Sequence, residues 1–398
     1  MALSTPAPIR QAGRTQLILL LAGSCLSVLG AVLIAPVLPQ MTDHFAGVPG
    51  AAALVPIVLT VPALMIGLTA PFAGVIADRI DRKRVLIIAM VGYSIFGTAP
   101  LYLNSLGSII GSRVLVGLCE AAIMTCCTTL IADYWSGSRR SRYLGLQTLL
   151  ASVSATVFLG IGGALGSSGW RTPFWLYAVA VLLAVPMALL IWQPARAAAA
   201  PAELPPIPWR KLRTPCLVTL AGGVVFYALI VELSFVLDEV GVTATATIGA
   251  LSALMSLATA AAAGSFAKLS RHTPRTLLPI AFGLAAAGFL VIAATTSVPV
   301  ITLGAVLTGA GTGLLLPTLV TWATNGLSFA ERGRGTGLWT GTLFIGQFFS
   351  PILITGVGAA VGGLWPALGL LGVVSAVLAV AMLAVVPRDA GRLDVTEA

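Results

Sequence analysis

Gly74-Val-Ile-Ala-Asp78-Arg79-Ile-Asp81-Arg82-Lys83-Arg84 is a short, strongly charged stretch set between two long apolar runs, about 51–77 and 85–103. Each flanking run is close to the ~20 residues needed to cross a bilayer core. Working outward, the same alternation repeats along the whole chain. Twelve runs are expected as spans, at roughly 16–38, 51–77, 85–103, 107–132, 144–166, 172–192, 214–237, 245–267, 276–296, 299–324, 335–359 and 364–386. The basic residues fall only in every second gap and in the tails: Arg10 and Arg14, the quoted stretch, Arg139 to Arg142, Arg196 to Arg213, Lys268 to Arg275, Arg332 and Arg334, and Arg388 and Arg392. Of the 22 Lys and Arg, only Arg171 lies in an opposite-side gap and only Arg113 inside a span. Short loops rich in Lys and Arg stay in the cytoplasm, so an even number of spans with both termini cytoplasmic is expected.

Composition agrees. The chain is 58% hydrophobic and 9% charged, with a mean hydropathy of +1.01, whereas a soluble domain carries about 25% charged residues. Continuous apolar spans in lipid must satisfy their backbone internally, which leaves helices. The net charge of +9 is spread over loops, where it faces anionic headgroups, so it is no sign of nucleic-acid binding. The first run is too long for a signal-peptide core and no cleavage pattern follows it. The five cysteines lie in spans or, for Cys216, at the start of one, and read as small packing residues rather than a disulfide framework.

The stretch 194–213 holds Pro194, Pro201, Pro205, Pro206 and Pro208, an alanine run and basic ends. It reads as a cytoplasmic linker between an N-terminal six-helix half, 1–193, and a C-terminal six-helix half, 214–398. The halves look related. One constant shift lays Leu115 on Leu307, Gly117 on Gly309, Leu130 on Trp322, Asp133 on Asn325, Arg140 on Arg332 and Gly145 on Gly337. Two repeats related by an axis along the membrane normal place a binding site between them, at the midplane. Gly162-x-x-x-Gly166, Gly309-x-x-x-Gly313, Gly337-x-x-x-Gly341 and Gly358-x-x-x-Gly362 permit close helix approach.

Titratable groups within the spans are few. Arg113 and Glu120 lie seven residues apart in the fourth, two turns along one face and about 10 Å apart by helical rise, too far for a direct bond without bending or a bridging water. Glu232 lies well inside the seventh. An ionisable side chain in a span is costly and needs a partner, a wet cavity or a function. A carboxylate there suits a site that takes and releases a proton. Gln147, Tyr227, Thr318, Trp322 and Gln347 are candidates to line a central substrate cavity. Glycine patterns for a phosphate loop are missing, His44 and His272 sit in loops on opposite sides, and no nucleophile–base set is visible. Neither an enzyme nor a metal or other cofactor is expected.

The quoted stretch resembles the signature loop of the major facilitator superfamily, G-x-L-a-D-r-x-G-r-k. Gly74, Asp78, Arg79, Arg82 and Lys83 match, and Asp81 replaces the second glycine. Aspartate tolerates the left-handed conformation, so the turn is expected to survive. The resemblance implies a latch: Asp78 facing the N-terminus of the eleventh helix near Gly335 to Gly337, and Arg82 pairing with Asp133. Arg113 and Gly117 match the R-x-x-x-G pattern of the fourth span, and the arginine is implied to assist proton transfer. Gly162 and Gly163 match the end of the antiporter pattern g-x-x-x-G-P-x-x-G-G in the fifth span, but Phe158-Leu159 stands in place of its G-P pair. Drug exporters of this group often use acidic residues in the helix of Glu232.

The expectation is therefore an all-α, twelve-span major facilitator fold, monomeric, in a bacterial cytoplasmic membrane. Its partners would be protons, lipids and a small-molecule substrate. The implied activity is proton-coupled efflux of a small, largely apolar compound, with Glu232, Glu120 and Arg113 as proton-coupling residues. A proton-coupled uptake symporter or a uniporter is the alternative, and a non-transporting membrane sensor or lipid-handling protein a more distant one.

Overall fold

Apolar runs of this length, with their polar interruptions confined to the gaps, fold as helices that satisfy every backbone group within the segment. In the computed structural model, which describes residues 12–79, 81–194, 208–387 and 393 (without the side chains of 73–79, 329 and 330), they form α1 (Arg14–Val32), α2 (Leu38–His44), α3 (Ala51–Arg79), α4 (Arg82–Thr98), α5 (Leu106–Tyr134), α6 (Gly137–Gly166), α7 (Val179–Leu190), α8 (Trp209–Glu239), α9 (Thr245–Leu269), α10 (Pro274–Ala293), α11 (Val298–Asn325), α12 (Phe329–Val361) and α13 (Leu364–Val385). Among the described residues there is no strand. Among the described residues twelve segments are long and apolar enough to cross a membrane. The first of them, Arg14–His44, is a broken helix: α1 ends at Val32, a 3-10 turn covers Ala35–Val37, and α2 completes the crossing. Pro36 and Pro39 cause the break, since neither has an N–H to give the turn before it.

Helix ends extend beyond the apolar runs. α6 starts at Gly137, and Trp209 to Arg213, on the linker side of the expected boundary, form the first turns of α8. The rest of the expected linker, 195–207, lies outside the described residues. Asp81 does not take the left-handed conformation. Its φ is −65° and ψ 103°, and its carboxylate accepts from the Arg84 N–H at 3.1 Å. The position occupied by glycine in the family pattern is here an N-cap, a role aspartate fills well.

Buried side chains form two apolar clusters. One is built from α1 to α7 together with Tyr227 and Val231 of α8, and the other from α8 to α13. The internal repeat has a packing counterpart. A Cβ on Gly117 would strike Pro62 and Met65 of α3, the second span, and one on Gly309 would strike Met255 and Thr259 of α9, the eighth. Across the middle of the molecule α3 packs on α12 and α6 on α9. The first seam closes toward the basic side, where Gly67 meets Gly341 and Ala70 meets Gly337. The second closes toward the opposite side, where Gly163 meets Gly249 and Gly166 meets Thr245.

Candidate functional site

α5 carries Arg113 and Glu120 into the interior of the first cluster, where they are 0% and 1% exposed. A buried guanidinium must find acceptors, and this one has three. Arg113 Nε donates to the Val58 carbonyl of α3 at 3.2 Å. Its Nη2 donates to the Gly30 carbonyl of α1 at 3.2 Å and to the Tyr177 hydroxyl at 2.7 Å. The guanidinium carbon also lies 4.8 Å from the centre of the Tyr177 ring, close enough for a cation–π contribution. Tyr177 sits in the 3-10 turn Thr172–Ala178 before α7, on Gly97, where a Cβ would collide with its ring. Its ring centre is 5.1 Å from that of Tyr93 of α4, whose hydroxyl donates to the Leu26 carbonyl of α1 at 2.7 Å.

Glu120 does not bond Arg113. Its carboxylate lies against the bare Cα of Gly30, in the space a side chain there would fill, with the Tyr93 hydroxyl close by. Arg113 Nη1 and Glu120 Oε1 are both buried without a hydrogen-bond partner among the described residues. Cation and carboxylate thus flank one residue of α1, each with an unused polar atom. Gly30 is required here for space, not for backbone freedom. Gly30→Ala is expected to displace the carboxylate and lower the melting temperature, and Glu120→Ala added to it to recover part of the loss. Additive effects in the double variant would show that the contact is not made.

The break in the first span explains why side chains gather at this point. Gly30 and Ala31 lie in the last turn of α1, where carbonyls lack the usual helical donors. Arg113 supplies one donor from the same half. Tyr227 of α8 supplies the other: its hydroxyl donates to the Ala31 carbonyl. Tyr227 is 2% exposed and packs in the first cluster although it belongs to a helix of the second.

The remaining expected residues are spread out. Glu232 is 5% exposed on α8, and its Oε1 has no partner among the described residues. Gln147 of α6 donates to Ser24 Oγ at 2.8 Å and Thr128 Oγ1 at 3.0 Å, tying α1, α5 and α6 together. Thr318 is buried and its hydroxyl donates to the Leu314 carbonyl of its own helix at 2.7 Å, leaving an acceptor but no free proton. Trp322 is half-buried beside the second cluster, and Gln347 is buried in α12. At the basic end Arg82 forms an ion pair with Asp133, and the Lys83 N–H donates to Gln193 Oε1 at 3.4 Å. Gly74, Asp78 and Arg79 fall outside the residues whose side chains are described. Tyr93, Tyr177 and Gly30 are absent from the sequence-based set. Pro36 and Pro39 carried the signal for a broken span and so for a site at its break. Among the described residues no group of His, Cys, Asp and Glu could hold a metal ion.

The chain resembles known proteins in sequence and in fold. The profile of the Major Facilitator Superfamily matches residues 20–243 and 216–397. The chain is similar to the class C tetracycline resistance protein of Escherichia coli, 27% identical over 229 residues, which is 56% of this chain and 56% of that one. It is similar to multidrug resistance protein 2 of Bacillus subtilis (strain 168), 29% identical over 184 residues, 45% of this chain and 44% of that one. The chain thus spans about half the length of the curated relatives it matches. In fold it is similar to a bacterial homologue of the human lysosomal transporter Spinster, solved in an inward-facing and occupied conformation, with a TM-score of 0.74, 18% identity, and coverage of 93% of this chain and 95% of that one.

Proposed function

Because the chain belongs to the Major Facilitator Superfamily, we propose that it is a secondary transporter that exports a small, largely apolar organic compound in exchange for protons. The observation that carries this reading is the buried arrangement of Arg113 and Glu120 on either side of Gly30. A carboxylate held in an apolar interior costs most when charged, so taking up and releasing a proton changes the energy of its surroundings. Arg113, held by Val58, Gly30 and Tyr177, supplies the nearby positive charge that keeps the ionised form attainable. Glu232, buried in α8, is the second proton-coupling candidate.

The direction of transport rests on the relatives, which are resistance proteins by name, and on Gly162 and Gly163. The basic loops support a reading in which that side of the protein faces the cytoplasm of a bacterial inner membrane, with both termini there. The Arg82–Asp133 ion pair fixes the loop between α3 and α4 against α5. In this reading it holds the preceding residues, Gly74, Asp78 and Arg79, toward α12 as a conformational latch, with Lys83 beside it. Substrate would pass between the halves, along surfaces that include Gln147, Tyr227, Thr318, Trp322 and Gln347, in a monomer that needs no cofactor. One observation favours a second reading, uptake or uniport: Phe158-Leu159 replaces the Gly-Pro pair associated with exporters.

The test is proton flux in proteoliposomes under an imposed pH gradient, with lipophilic cations, neutral drugs and organic acids added in turn. Export coupled to protons predicts compound-evoked proton flux that Glu120→Gln or Glu232→Gln removes. Flux of the opposite sign indicates symport. Compound movement without proton flux, unchanged in both variants, indicates a uniporter.

A further inference from the structure

We propose that Tyr227 is the positioning residue through which the charge on Glu120 reaches the seam between the halves, by way of the Gly30–Ala31 carbonyl pair. This rests on the reading of Glu120 as a proton site. Three observations carry it. The last turn of α1 is held from both halves: Arg113 bonds the Gly30 carbonyl, and Tyr227, from the other half, bonds the neighbouring Ala31 carbonyl. The carboxylate of Glu120 lies against Gly30 itself, in the space a Cβ there would occupy. The stretch of α8 from Val225 to Leu237 is largely buried, chiefly against α11 and α12 of its own half, and α2 and the 3-10 turn of the broken span also reach α8 from the other half.

The sign follows from the unused atoms. In the arrangement described, Arg113 is spent on Val58, Gly30 and Tyr177, and not on Glu120. A neutral carboxyl does not compete for the guanidinium, so this arrangement belongs to protonated Glu120. Loss of the proton leaves a carboxylate in the same buried cluster as Arg113, whose Nη1 has no partner among the described residues. Their attraction across a dry interior is strong, and it draws the guanidinium away from Gly30. The end of α1 then loses its anchor, Ala31 shifts, and Tyr227 loses its acceptor. Protonation therefore favours the clasp of α8 on the first span, and deprotonation releases it. Facing Glu120 are Arg113 on its own helix, Tyr93 from α4, Tyr177 from the turn before α7 and Tyr227 from α8, while α1 contributes only Gly30. Asp43 of α2 and Asp238 of α8 are like charges near one another across the seam, and their repulsion would oppose the clasp independently of Glu120.

The experiment places nitroxide labels on the two sides of the clasp, at Val48 in the loop after α2 and at Thr243 in the loop after α8, both exposed. The full chain is used, its five free cysteines replaced by alanine, and label separation is measured from pH 5 to 9. The parent is expected to move from a short to a long separation as pH rises. Glu120→Gln is expected to stay short throughout. Tyr227→Phe keeps the ring and loses only the hydroxyl. It is expected to cut the short-to-long ratio at low pH roughly fivefold, the equivalent of one hydrogen bond of about 1 kcal/mol, with an unchanged melting temperature. A Tyr227→Phe curve identical to the parent's overturns the proposal, while a flat Glu120→Gln curve beside it leaves the proton-site reading standing. A pH response that survives Glu120→Gln assigns the switch to Asp43 and Asp238 and also overturns it. A flat parent curve does the same, and export is then judged by proton flux alone.

Discussion

Replacing Arg113 with methionine is expected to cost several kcal/mol of stability and, on the proposed reading of this chain as a proton-coupled exporter, to abolish coupling. Methionine fills much of the volume but offers no donor. The carbonyls of Val58 and Gly30 and the hydroxyl of Tyr177 would each lose a partner in a buried interior. An orphaned buried polar group costs about 1–3 kcal/mol, so three of them outweigh any gain from added apolar packing. At a pH where Glu120 is ionised, the loss also leaves its carboxylate without a nearby cation, which adds to the cost. The melting temperature in detergent should fall clearly. Adding Glu120→Gln should restore part of it, because the uncompensated carboxylate is removed. Arg113→Lys should keep charge but reach only some of the acceptors, so its stability should lie between the two. A melting temperature unchanged in Arg113→Met would mean that the three bonds carry no weight.

The spans and their repeat were legible because both are written in chemistry that depends little on tertiary detail. A run of twenty apolar residues has one stable outcome in lipid, and basic loops mark one side of it. Gly117 and Gly309 stood out as a repeat pair and do make equivalent approaches, to α3 and to α9. Helix ends were read short because hydropathy reports only the part of a helix inside the hydrocarbon. Gly137 to Tyr143 is helical but holds Arg139, Arg140 and Arg142. The site was legible only in part. Arg113 and Glu120 are conspicuous because ionisable groups in spans are rare. Tyr93 and Tyr177 are not, since an aromatic in a span is ordinarily packing or an interfacial anchor. Their role depends on where α4 and the turn before α7 lie relative to α1, which no local pattern records. Spacing also put Arg113 and Glu120 too far apart for a direct bond, and they make none: they lie on the two sides of Gly30.

The two seams place different demands on neighbouring residues of α6. Gly162 and Gly163 are adjacent in the chain and point to different halves. A Cβ on Gly162 would run into the Leu33 carbonyl of the broken span, within the first half. A Cβ on Gly163 would come within 2.7 Å of the Gly249 Cα, across the seam to α9, and the reverse contact is equally close. Gly162→Val should therefore damage the first half itself and show as a lower melting temperature.

Gly163→Val should behave differently, and its effect on transport should be among the largest of any single change. The valine leaves each six-helix bundle intact but wedges α6 from α9 on the opposite side. Close backbone packing of this kind is what small residues provide in membranes, and no rotamer shift relieves a clash with backbone. Alternating access needs this seam to close once in every cycle, so the wedge removes one of the two states. A bias of about 3 kcal/mol leaves the closed state populated at less than about 1% of its former ratio to the open one. Transport in proteoliposomes should fall by a similar factor while the melting temperature stays near that of the parent. The labels at Val48 and Thr243 should report the long separation at every pH. Gly249→Val, approaching the same contact from the other half, should reproduce both results. Normal transport in either variant would mean that α6 and α9 need not meet at these glycines for the cycle to run.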